Sequence, residues 1–134
     1  MAAQPAAAGP VDTQAVLAEL TAQITRLDQA LNTRIALADQ QFSTRNFSGR
    51  KTDRGRALIR YGRPNDIEPY PANEDRYSYE IWHYDDSDDG FTFIFINKDG
   101  VGMFEQIHST HPDEFRNYRW KDMVVRASTS LIDF

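Results

Sequence analysis

With 134 residues and a formal net charge of −5, from 15 basic and 20 acidic residues, the chain has room for one domain and one appended element. That charge argues against a general nucleic-acid binder. The absence of cysteine excludes disulfides and thiolate metal sites, and no apolar run reaches membrane-spanning length.

Residues 1–11 read as a disordered leader. They lack the basic and apolar regions of a signal peptide, while their Ala/Gln/Pro composition suits the flexible start of an exported chain. From Asp12 or Thr13, either of which suits an N-cap, no Gly or Pro interrupts the chain until Gly49. Over that window Leu20, Ile24, Leu27, Leu31, Ile35, Ala38 and Phe42 recur three or four residues apart, which predicts an amphipathic helix over 12–45. Together with Leu17, the first four approach a coiled-coil seam, although three sustained heptads are barely available. This stripe either packs on the chain's own sheet or binds a protein partner, including a second copy. The helix is long for one small meander to cover, so Leu20, Ile24, Leu27, Leu31 and Ile35 form the candidate partner-binding set.

Residues 46–51 form a turn, after which Thr52 caps a short helix over 53–61. Asp53 suits its positive end, Arg60 its negative end, and Gly62 supplies a left-handed stop before Pro64. Gly55 inside that helix costs about 1 kcal/mol relative to alanine, so a close backbone contact is expected there. Ala57, Ile59 and Tyr61 also alternate, which leaves a strand open as the other reading. Residues 65–76, with four acids, Pro69 and Pro71, read as a surface loop. Strands are predicted over 77–84, 91–96 and 101–108, joined by turns at 85–90 and 97–100, giving a three-stranded antiparallel meander. In the second of these, Phe91, Phe93 and Phe95 face one way and Thr92, Ile94 and Ile96 the other. A strand apolar on both faces belongs at the centre, with a helix on at least one side. His111-Pro112-Asp113-Glu114 opens a short helical or irregular segment carrying Phe115, Tyr118, Trp120 and Met123, and 126–134 reads as a tail. The class is α+β, with the domain proper over 46–125.

Charge is placed in blocks. Residues 45–63 carry seven basic residues against Asp53, and 64–90 carry nine acids against Arg76. Arg54, Arg56, Arg60 and Arg63 beside Tyr61 could suggest a nucleic-acid surface, but pairing with the acidic block is the expectation at this net charge.

The order Gly49-Arg50-Lys51-Thr52-Asp53, Arg54-Gly55-Arg56, Ile59-Arg60-Tyr61-Gly62 and Pro64 resembles the signature of the bacterial GWxTD domain. That family continues through a Tyr-Glu-Ile-Trp strand, an aromatic strand ending in Asp-Gly, and a Gly-containing strand closing on His-Ser. Here these are Tyr79-Glu80-Ile81-Trp82, Phe93 to Phe95, Asp99-Gly100, Gly102 and His108-Ser109. The likeness covers about residues 35–120 and departs at Arg50, where the family has tryptophan. It implies an exported envelope protein with no established catalytic activity. A remoter likeness in layout to BamE/SmpA-like assembly lipoproteins implies a non-enzymatic interaction module, of the kind found in membrane-associated complexes, and is an analogy of fold alone.

The chemistry-bearing residues are sparse. Asp85, Ser87, Asp89 and Gly90 fall at positions one, three, five and six of an EF-hand-type loop, yet the twelfth position is Ile96 rather than a bidentate Glu. A solvated hairpin turn is the competing reading. Exposed aromatics beside those carboxylates suggest Ca²⁺ or glycan binding as the alternative function. His83, His108 and His111 show no metal-ligand pattern. Ser109 beside His108 would point to the opposite face of a strand, Glu80 and Glu105 fall at exposed positions, and no helix follows Gly100 and Gly102 to cradle a phosphate. No catalytic residue and no cofactor are expected. The reading is a non-enzymatic cell-envelope module, periplasmic or envelope-associated, that binds other protein subunits.

Overall fold

The computed structural model describes residues 12–85, 90–100 and 102–126. The leader 1–11, residues 127–134 of the tail, and Ser87 and Asp89 of the acidic turn lie outside the described residues. The chain divides into two compact units, Met1–Thr33 and Arg34–Phe134.

Helix α1 (Thr13–Phe42) begins where the Asp12 carboxylate accepts from the Ala15 amide at 3.2 Å. It stops at Phe42 rather than running to 45. There Ser43 donates its hydroxyl back to the Asp39 carbonyl at 2.6 Å, and Thr44 accepts the Phe47 amide, so short polar side chains compete with the helical ladder. A single 3-10 turn (Gly49–Lys51) leads into α2 (Asp53–Tyr61). Thr52 Oγ1 accepts from Gly55 N at 3.0 Å, and Gly62, at φ 84°, returns its amide to the Leu58 carbonyl. Both ends are therefore closed by local chemistry, and residues 57–61 are helical rather than extended. From the second unit's part of α1, Arg34 adds a hydrogen bond to the Ile59 carbonyl at 3.1 Å, a cation at the helix's negative end.

The sheet has four antiparallel strands in the order β1-β2-β3-β4, not three: β1 (Asp66–Tyr70), β2 (Ser78–Tyr84), β3 (Phe91–Asn97) and β4 (Glu105–Ser109). The added strand lies in the stretch expected to be a loop. As an edge strand it tolerates Pro69, whose missing N–H costs nothing on the unpaired side. It is held by pairing across β2, from Asp66 opposite His83 to Tyr70 opposite Tyr79. The last strand also starts later than expected, at Glu105 rather than 101, because Gly100 (φ 73°) and Gly102 (φ 96°) keep the chain out of extended geometry. Between the pairs Ile94 with His108 and Phe95 with Gln106 the register slips, leaving Ile107 as a bulge.

The alternation expected in β3 is what builds the two cores. Phe93 and Phe95 join Trp82, Tyr84 and Ala57 on one face, with Phe42 and Tyr61 packed against them. Ile94 and Ile96 join Ile107 and Val124 on the other, under Trp120 of α3 (Trp120–Val124). Central β3 is therefore covered on both faces, by α2 on one and the C-terminal segment on the other. Trp82 and Phe95 meet edge to face at 4.9 Å, a geometry favoured by the ring quadrupoles.

Candidate functional site

The motif residues converge on one junction inside the second unit. Gly49 and Gly55 are buried, and each occupies a place where a side chain does not fit. A Cβ on Gly49 would lie 1.8 Å from the Ala38 carbonyl oxygen, and one on Gly55 only 1.7 Å from the Gly49 carbonyl oxygen. Three backbones are thus stacked in contact: the end of α1, the 3-10 turn and the start of α2. Thr52 ties the stack by donating its hydroxyl to the Gly49 carbonyl at 2.7 Å while capping α2. Asp53 reaches the sheet, accepting the Gln106 amide at 2.8 Å on the outer edge of β4. Tyr84 donates to the Gly62 carbonyl at 2.8 Å, which fixes the far end of α2 to β2. Pro64 is half-buried at the exit toward β1.

Arg54 and Arg56 take different partners. The Arg54 guanidinium sits 3.9 Å from the ring centre of Phe104 and 4.6 Å from that of Phe42, and reaches Glu80 at 3.4 Å. Burial pulls its proton affinity down while Glu80 opposes that, and the Trp82 indole donates to the same carboxylate at 3.0 Å. Arg56 binds Glu114 at 2.7 Å and shares that carboxylate with Gln106, at 2.9 Å, and the Tyr61 hydroxyl, at 2.6 Å. The basic block therefore meets the acidic block through Arg54 and Glu80, but its Arg56 finds an acid beyond that block. Burial, then the bond to Glu114, pushes the Tyr61 hydroxyl up to about 12. Arg50, where the resembled family has tryptophan, is exposed and pairs with Asp39 at 2.6 Å.

These bonds satisfy one another; among the described residues no buried side-chain polar atom lacks a partner. The histidines behave similarly. His108 is buried, accepts the Asn117 amide at 2.9 Å and stacks on Trp120; burial, then Arg116, lowers its pKa. His111 accepts the Asp113 amide and packs on Tyr61 and Phe91. Ser109 gives its hydroxyl to the Thr92 carbonyl at 2.8 Å, so it makes no pair with His108. Of the acidic turn, Asp85 is exposed and its amide donates to Asn65. A groove of about 720 Å³ beside Arg45, Phe47, Met103 and Glu105 went unread in the sequence because its walls come from two segments about fifty residues apart, 44–47 and 99–105.

In the first unit the stripe lies open. Leu17, Leu20, Ile24, Leu27 and Leu31 are between 45% and 70% exposed. Ile35, which belongs to the second unit, is half-buried. No helix among the described residues is long and apolar enough to cross a membrane. One constellation escaped the sequence reading altogether: Asp66, Glu68 and His83 bring a donor atom each to within 4.8 Å of one another. Two of them lie on a strand that the sequence did not reveal. No family model, no curated protein and no solved structure matches this chain.

Proposed function

We propose that this protein is a non-enzymatic interaction module of the bacterial cell envelope, which assembles with a second copy of itself through α1. The observation that carries the reading is the open stripe of five large aliphatic side chains at Leu17, Leu20, Ile24, Leu27 and Leu31. A contiguous apolar row on a helix is ordinarily covered, and full burial of one such side chain is worth about 2 kcal/mol.

The occupant is argued from the row itself. Its spacing of three, four, three and four places these residues at successive a and d positions. The neighbouring e and g positions are Val16, Thr21, Gln23, Asp28 and Ala30, with a single charge among them. Such a face carries little like-charge repulsion against its own copy and meets its own a and d knobs. The envelope setting rests on the resemblance of residues 49–64 and the aromatic strands. Against this, the acidic turn offers the Ca²⁺ or glycan reading no described geometry.

Light scattering on the whole chain tests the assembly. The wild type is expected at a multiple of 15.4 kDa, and Ile24→Asp with Leu31→Asp at that single mass. An unchanged mass in the double variant, or a wild type at 15.4 kDa, overturns self-association. In the second case, cross-linking that captures a different subunit with wild type and not with the variant would assign the face to that partner.

A further inference from the structure

We infer that Asp66, Glu68 and His83 form a binding site for a divalent transition metal of the zinc class on the outer edge of the sheet. Strand geometry supplies the arrangement. Asp66 stands directly opposite His83 across the β1 and β2 ladder, and Glu68, two residues along β1, projects from the same face as Asp66. One atom from each lies within 4.8 Å of the others. A tetrahedral zinc ion with bonds near 2.1 Å needs its donors about 3.4 Å apart, so ordinary side-chain rotation closes the site.

The donor set selects the ion. Two carboxylates alone would suit calcium or magnesium, but an imidazole beside them favours zinc and its neighbours. Three protein ligands leave a fourth position, and exposed Asp66 places it toward solvent, where water completes the shell.

Two further observations point to a cation. Among the described residues neither carboxylate pairs with a lysine or arginine, although the two lie close on one strand face. The Asp66 side chain makes no hydrogen bond or ion pair with any described residue, while Glu68 is already held in place. Its Oε2 accepts the Tyr70 hydroxyl at 2.7 Å, and its Oε1 meets His83 Nε2. Tyr70 is in turn stacked on Tyr79 at 4.6 Å, so it supplies the outer support that orients a ligating carboxylate. The contact of His83 with Glu68 is where the ion would enter, taking the place of one proton between the two atoms.

Calorimetric titration of the full chain with Zn²⁺ is expected to give one site per chain, and titration with Ca²⁺ none. Both His83→Gln and Glu68→Gln should weaken Zn²⁺ binding by about 100-fold, and Tyr70→Phe by about tenfold. The Asp66 carboxylate makes no hydrogen bond or ion pair with any described residue, so Asp66→Asn should keep the wild-type melting temperature while losing at least tenfold in affinity. His111→Gln should bind as wild type does. A silent Zn²⁺ titration overturns the site. So does Zn²⁺ affinity unchanged in His83→Gln or Asp66→Asn, and so does Ca²⁺ binding as tight as Zn²⁺. The light-scattering outcome above is read on other residues, so either inference can fail alone.

Discussion

Replacing Gly55 by alanine should lower the melting temperature by about 10 °C, although the same change in an open helix stabilises by about 1 kcal/mol. The sign reverses because the new methyl has nowhere to go. It would stand 1.7 Å from the carbonyl oxygen of Gly49, a backbone atom already bound by both the amide and the hydroxyl of Thr52. Relief requires α2 to lift from the 3-10 turn, and that loosens the cap on Gly55 and the bond from Asp53 to β4. Overpacking of this kind costs about 3 kcal/mol when the obstructing atom cannot rotate aside. For a chain of this size that corresponds to the stated shift. Gly49→Ala meets the Ala38 carbonyl at 1.8 Å and should behave alike. Thermal unfolding followed by circular dichroism reads both, and a Gly55→Ala protein melting at or above wild type would disprove the backbone stack. The stack also explains why a Gly, Thr, Asp, Gly order is needed at all. These residues build the junction, with Thr52 bonded to the Gly49 carbonyl and the Gly55 amide and Asp53 to the Gln106 amide.

What could be read in advance follows the range of the forces involved. The caps of α2 were legible because Thr52 and Gly62 act within four residues of themselves. The burial of β3 on both faces was legible because Phe93, Ile94, Phe95 and Ile96 carry it in their own order. Strand β1 was hidden because its stability lies in pairing with β2 across a loop, while its own residues, two acids and a proline among five, signal a turn. Had β1 been seen, the two-residue period would have put Asp66 and Glu68 on one face, but only the register could place His83 opposite Asp66. Glu114 was obscured for the same reason. Its partners Arg56, Tyr61 and Gln106 come from α2 and β4, as far as 58 positions away.

That carboxylate underlies the second large effect: Glu114→Gln should destabilise the protein by about 2–3 kcal/mol at neutral pH and by almost nothing at pH 2. Burial alone would raise the pKa of Glu114, since its side chain is only 5% exposed. The bonds from Arg56, Gln106 and Tyr61 outweigh burial and bring it down to about 2, against about 4.5 for a free glutamate. A depressed carboxylate contributes its stability above the unfolded value and loses it as pH falls through the folded one. The window therefore runs from about pH 4.5 down to about pH 2. A shift of that size corresponds to about 3 kcal/mol, reduced because the Arg56 guanidinium is itself half open to solvent. Asp39 and Glu68 are also held below the ordinary carboxylate range, Asp39 chiefly by Arg50 and Glu68 chiefly by Tyr70, but both persist in the variant and cancel in the comparison. Urea unfolding of both proteins in steps from pH 7 to pH 2 measures the difference directly. A gap that stays constant across that range would mean the Glu114 cluster holds the C-terminal segment by shape rather than by charge. A closing gap would show that one ionised side chain fastens that segment to α2 and β4.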